Sequence, residues 1–130
     1  MIFAQRLARA LLVSEPELEG VLCVSADRFP EGAHYEQAFN LISDGAAACW
    51  VGREDRGYRL LATHAITNGA LARATDDETV GSYFAYTHRL VHEVCAKAGL
   101  GVAELDWVVP QNTHVKTWQV LSRLLRIPVE

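Results

Sequence analysis

Lysine and arginine are few and scattered: 12 against 16 acidic residues, for a formal net charge of −4 and a pI near 5.7. No basic stripe exists to neutralise phosphates, which makes nucleic acid a poor partner. No stretch approaches the roughly 20 apolar residues of a membrane span. The apolar start MIFAQRLARALLV is interrupted by Arg6 and Arg9, and no small-residue cleavage site follows, so it is not read as a signal peptide. Cysteine is scarce and odd in number: Cys23, Cys49 and Cys95 are widely spaced, each inside an apolar segment. Buried, reduced thiols in a cytoplasmic protein are the expectation. Internal repeats and low-complexity tracts are absent.

What is present is the material of an ordered domain. Half of the 130 residues are hydrophobic and 22% are charged, enough for one ordinary core and too apolar for disorder. Residues 3–13 place Phe3, Leu7, Leu11 and Leu12 on a helical period, and Ser14-Glu15-Pro16 stops that helix. GVLCVSAD (residues 20–27) is a short β-branched run, the pattern of a buried strand. A polar loop, RFPEGAHYEQA, leads to small residues around Asp44-Gly45 and a second strand at Ala48-Cys49-Trp50-Val51. Asp55-Arg56-Gly57 supplies a turn before YRLLATHAIT (residues 58–67), read as a third strand.

Thr75-Asp76-Asp77-Glu78 has the form of a capping box, with a carboxylate three residues after a hydroxyl. The helix it opens runs to about Ala98, turns Val80, Phe84, Val91, Val94 and Cys95 to one side, and ends at Gly99. DWVVP (residues 106–110) reads as a fourth strand, and the last helix turns Val115, Trp118, Leu121, Leu124 and Leu125 inward. Strands alternating with helices indicate an α/β layered fold. Only one β-α-β crossover is complete, from residues 58–67 through the long helix to DWVVP, and the pieces before it read as the tail of an earlier unit.

Chemistry concentrates where DWVVP gives way to Gln111-Asn112-Thr113-His114 and the final helix. Polar side chains and free helix N–H groups then sit at the C-terminal end of a strand, where open α/β sheets place their sites. Asn112 and Thr113 are also ordinary helix-capping types. His88 and His92 lie four apart on the long helix with Glu93 beside them, a possible metal pair, but nothing completes the set and a solvated face is the plainer reading. His64, on an apolar run, reads as a satisfied core or interface histidine. No cysteine falls at a helix N-terminus, where a thiol is activated, so each reads as inert.

Taken together, ISDGAAACWVGRE (residues 42–54) and DWVVPQNTH (residues 106–114) resemble the β-ketoacyl-acyl carrier protein synthase III family, of thiolase-like fold. GVLCVSAD is similar to the strand after that family's nucleophile helix. SDGAAACWVG is similar to its small-residue stretch, with Ala47 where glycine is usual. DWVVPQNTH is similar to the segment carrying its catalytic histidine, but Gln111 takes that place and a histidine follows only at His114.

The resemblance implies a partial thiolase-like α/β fold with a mixed sheet and buried helices. Residues 1–54 would form the end of one half and residues 55–130 the start of the C-terminal half. The family's nucleophilic cysteine would lie just before Met1 and its asparagine loop just after Glu130. It implies an acyltransferase of fatty acid or polyketide synthesis, acting on acyl-CoA or acyl carrier protein thioesters, with no cofactor. His114, Gln111 and Asn112 are the candidate catalytic residues. His114 supplies an imidazole from the first helical turn, or Gln111 or Asn112 donates a hydrogen bond to the thioester carbonyl without proton transfer. A homodimer or a complementary synthase chain is the expected partner. The alternative is a non-catalytic subunit, or an inactive remnant, that pairs with a complete synthase.

Overall fold

The computed structural model of the protein describes residues 2–32, 36–37, 40–41, 44–111 and 113–128. Asn112 and part of the polar loop lie outside them. The chain divides into two compact units, residues 1–36 with 42–60, and residues 37–41 with 61–130.

The first unit is built on helix α1 (Ile2–Ser14) and strand β1 (Gly20–Asp27). A short ladder of β2 (Glu36–Gln37) with β3 (Asn40–Leu41) comes next in the chain, and β4 (Gly45–Gly52) follows. β1 and β4 pair antiparallel from Gly20↔Gly52 to Asp27↔Gly45, with Cys23 directly opposite Cys49. One face of this ribbon meets α1, through a helix stripe in which Ala8 and Leu12 are buried. The apolar face expected from sequence is therefore rotated: Phe3 is 67% and Leu7 61% exposed. Alanine lets the helix come close to the ribbon, and the bulkier stripe is left outside, with the Arg6 guanidinium 5.9 Å from the Phe3 ring centre. On the ribbon's other face Leu22, Val24 and Trp50 are exposed. The Trp50 indole lies across the end of the ladder, where a Cβ on Gly52 would stand 2.8 Å from its nitrogen.

Arg53 closes the unit. Its guanidinium donates to the carbonyls of Leu12, Glu15 (3.1 Å) and Leu18 (2.8 Å), where α1 ends and leaves carbonyls without helical partners. A guanidinium spreads its donors over a planar fork, whereas a lysine offers its three from a single nitrogen. Arg53→Ala is expected to cost about 1.5–3 kcal/mol, the range for a hydrogen bond to a charged group. Arg53→Lys should recover only part of it, both read from urea denaturation.

The second unit holds α2 (Asp76–Ala98) and α3 (Val115–Leu125), which pack on each other, with 3-10 turns at Gly69–Arg73 and Val102–Glu104. The capping box is formed as expected: Thr75 Oγ1 accepts from Glu78 N–H and the Glu78 carboxylate accepts from Thr75 N–H. Gly99 ends α2 in the left-handed conformation at φ 73°. α3 ends on Arg126, also left-handed at φ 55°. Thr117, Leu121 and Leu125 are its buried positions, spaced four apart on one stripe. Val115 and Leu124, expected inward, are exposed because α3 meets apolar neighbours along that stripe alone.

Residues 58–67 and 106–110 are not strands, which corrects the sequence reading, and the predicted crossover is not formed. A strand exists only through hydrogen bonds to a neighbour, and among the described residues no ladder includes either segment. Tyr58, Trp107 (85%) and Val109 (93%) stay exposed, while Ala62, Ala65 and Ile66 are half-buried.

Candidate functional site

His114 is the N-cap of α3. Its backbone is extended, its carbonyl accepts from Thr117 N–H (2.9 Å), and its Nδ1 accepts from Lys116 N–H at 3.1 Å. The cap is thus the histidine rather than Asn112 or Thr113, the capping types picked out by sequence. An acceptor Nδ1 carries no proton, so a neutral ring must hold its hydrogen on Nε2. The backbone of α3 thereby fixes one tautomer, with Nε2–H as a donor on an exposed side chain beside the positive end of a helix.

Gln111, three residues earlier, is exposed and donates from its amide nitrogen to the Tyr83 hydroxyl of α2 at 3.4 Å. Gln111 and His114 are each held, by a different partner. Asn112, the third candidate, lies outside the described residues. Tyr83 was not singled out by sequence; it packs edge-on against Phe84, ring centres 5.6 Å apart, and no motif marks it. Thr113 Oγ1, between the candidates, is a buried hydroxyl without a hydrogen-bond partner among the described residues. A cleft of about 500 Å³ opens beside this segment, lined by Asp106, Trp107, Pro110, Trp118, Ser122 and Leu125. Neither Gln111 nor His114 lines it.

His64 is held at both ring nitrogens. Lys97 Nζ donates to Nδ1 at 2.7 Å and Nε2 meets the Glu93 carboxylate, whose other oxygen takes Arg89 Nε at 2.6 Å. The ring is thus held between the Lys97 ammonium on one side and the Glu93 carboxylate on the other. This matches the satisfied histidine expected from its apolar run. The carboxylate of Glu93 is committed to Arg89 and His64, and the His88 and His92 rings lie tilted against each other with centres 4.4 Å apart. Among the described residues no group of three metal-ligating side chains stands together.

The hydrogen bond from Arg89, then that from His64, holds the Glu93 carboxyl below the usual carboxylate range. Thr75, chiefly through its backbone N–H, does the same for Glu78. A carboxyl depressed in the folded state binds its proton more weakly there than in the unfolded chain. The stability it contributes is complete above the unfolded value of about 4.3 and is lost as pH falls through the folded one. Acidification from pH 7 should lower the melting temperature only below this value, and Glu93→Gln should flatten part of that fall. An unchanged pH profile in the variant would count against the network.

Cys23 and Cys49 sit in the ribbon and Cys95 near the end of α2, none at a helix N-terminus. Burial, followed by the neighbouring Cys49, raises the Cys23 thiol above its ordinary value. No helix among the described residues is long and apolar enough to cross a membrane.

The family model for 3-oxoacyl-[acyl-carrier-protein (ACP)] synthase III matches residues 1–69. A beta-ketoacyl-[acyl-carrier-protein] synthase III of Aquifex aeolicus is 28% identical over an alignment of 142 positions, covering 99% of this chain and 46% of the relative. Its counterpart in Bordetella petrii is 45% identical over 42 residues, 32% of this chain and 13% of the relative. The chain therefore spans less than half the length of these curated relatives. No solved structure matches it significantly. With over half its residues matched by the family model, and with helices and an antiparallel strand pair forming a partial α/β thiolase-like fold, the chain belongs to the 3-oxoacyl-acyl carrier protein synthase III family.

Proposed function

We propose that the chain supplies the thioester-binding part of a β-ketoacyl synthase III-like acyltransferase, acting on acyl-CoA or acyl carrier protein thioesters. In this reading residues 1–54 end the first half of a thiolase-like unit and residues 55–130 begin the second. The observation that carries it is the hydrogen bond from Lys116 N–H to His114 Nδ1, from which the Nε2–H tautomer follows. Acyl transfer and Claisen condensation both build negative charge on the thioester oxygen, and fixed N–H donors aimed at that oxygen lower the barrier. An imidazole locked by its own helix with Nε2–H outward is such a donor. Gln111, braced on Tyr83, is its companion, and Asn112 belongs to the same segment.

The nucleophilic thiolate comes from elsewhere in the assembly, because Cys23, Cys49 and Cys95 all lack the helix N-terminus that would stabilise it. A second reading, a non-catalytic subunit that pairs with a complete synthase, is favoured by the exposed Phe3, Leu7, Leu22, Val24 and Trp50. Such side chains belong against another surface.

Radiolabelled acyl-CoA tests the first reading. The 130-residue chain alone should take no covalent label. Mixed with a chain carrying the family cysteine, it should promote labelling of that cysteine. Label on the isolated chain would overturn the assignment of the nucleophile. Promotion that survives loss of both Gln111 and His114 would favour the non-catalytic subunit.

A further inference from the structure

We propose that Cys23 and Cys49 form a reversible cross-strand disulfide when the protein meets a small-molecule disulfide oxidant. The two residues are directly opposed in the antiparallel β1–β4 register, so their side chains leave the ribbon on the same face. That face is turned to α1, where Gln5 Nε2 donates to Cys49 Sγ at 3.6 Å. Cys23 is buried and Cys49 is half-buried.

The ladder brings the pair within disulfide range. Opposed antiparallel residues stand about 4.5–5.5 Å apart at Cα, inside the about 4.4–6.8 Å that a disulfide spans. Their Cβ atoms, about 4.5–5.5 Å apart, must close to about 3.8 Å. That approach is small, and the strain it leaves makes the bond easy to reduce again. The ribbon frame is already closed on both sides of the pair, by the ladder to Gly20↔Gly52 on one side, and on the other by the ladder to Asp27↔Gly45 and Phe29 N–H donating to the Asp44 carboxylate at 2.8 Å.

The chemistry balances with oxidised glutathione as the named oxidant. The more accessible Cys49 loses its proton and attacks one glutathione sulfur, expelling a first glutathione thiolate. Cys23, deprotonated in turn, attacks Cys49 Sγ and expels the second. The two thiol protons end on the two released glutathiones, so two thiols are oxidised as one disulfide is reduced. Burial holds Cys23 protonated, so this second step is the slow one.

The test treats the folded chain with oxidised glutathione, alkylates the remaining thiols and maps tryptic peptides. Cleavage after Arg28 and Arg53 places Cys23 and Cys49 in separate peptides. The expected result is a Cys23–Cys49 link with Cys95 alkylated, formed equally in Cys95→Ala and lost in Cys49→Ser, and reversed by dithiothreitol. The same link should be lost from its dominance when the chain is oxidised in denaturant. Full alkylation of all three cysteines, a stable glutathione adduct at Cys49, or links that involve Cys95 would each overturn the proposal.

Discussion

His114→Asn is expected to lower kcat about 10²–10³-fold in an assembly that supplies the nucleophilic cysteine, equivalent to about 2.7–4 kcal/mol of transition-state stabilisation, while leaving the fold intact. The choice of asparagine separates two jobs that one side chain performs. As N-cap, His114 accepts Lys116 N–H, and asparagine is among the best residues for that task. As donor, it offers Nε2–H at a distance from the backbone that the shorter amide does not reach. A fall in kcat with an unchanged melting temperature therefore isolates the donor. Gln111→Ala provides the comparison. If His114→Asn retains full activity and Gln111→Ala loses it, the amide is the thioester donor and the histidine is only a cap. A donor that transfers no proton should also leave the pH profile of kcat flat on the side where a general acid–base histidine bends it.

The helices were legible because their signals are local. Thr75 and Glu78 stand three apart and satisfy one another without reference to the rest of the chain, and Gly99 stops α2 for a reason internal to its own φ. β1 and β4 were legible from β-branched and small residues bounded by turns. Residues 58–67 and 106–110 carry the same kind of signal and are not strands, because an apolar run reports only that burial is wanted. The neighbour that would complete the ladder is a property of other residues. For the same reason α1 was legible only in part: Leu12 is buried as expected, with Ala8 beside it in the stripe against the ribbon, while Phe3 and Leu7, of equal hydrophobic credentials, are exposed. At the candidate site, the polar run after Pro110 and its resemblance to the family's histidine segment pointed to Gln111, Asn112 and His114. That His114 caps α3, that Tyr83 holds Gln111 across 28 positions, and that Lys97 and Glu93 bracket His64 required the folded chain.

Leu121→Ala should be the most damaging single truncation in the second unit, at about 2.7–5 kcal/mol. Leu121 is fully buried, the largest side chain of the protein to be so among the described residues, and it stands at the middle of the Thr117–Leu121–Leu125 stripe. α3 has 11 residues, too few to be helical in water alone, so its structure depends on that stripe. Against a total stability of about 5–15 kcal/mol, the loss is enough to unfold a large fraction of molecules on mild heating. Leu124→Ala is the matched control: the same chemistry on the same helix, at a position 47% exposed, with an expected cost under about 1 kcal/mol. Urea midpoints of the two variants decide the matter, read at an unchanged denaturant slope. Equal costs would mean that α3 is not held by Leu121. Because His114 owes its tautomer to the first turn of α3, the same truncation should speed hydrogen exchange at Lys116 N–H, while Leu124→Ala leaves it protected. Packing at Leu121 and the donor at His114 then belong to one helix, and loosening the first releases the second.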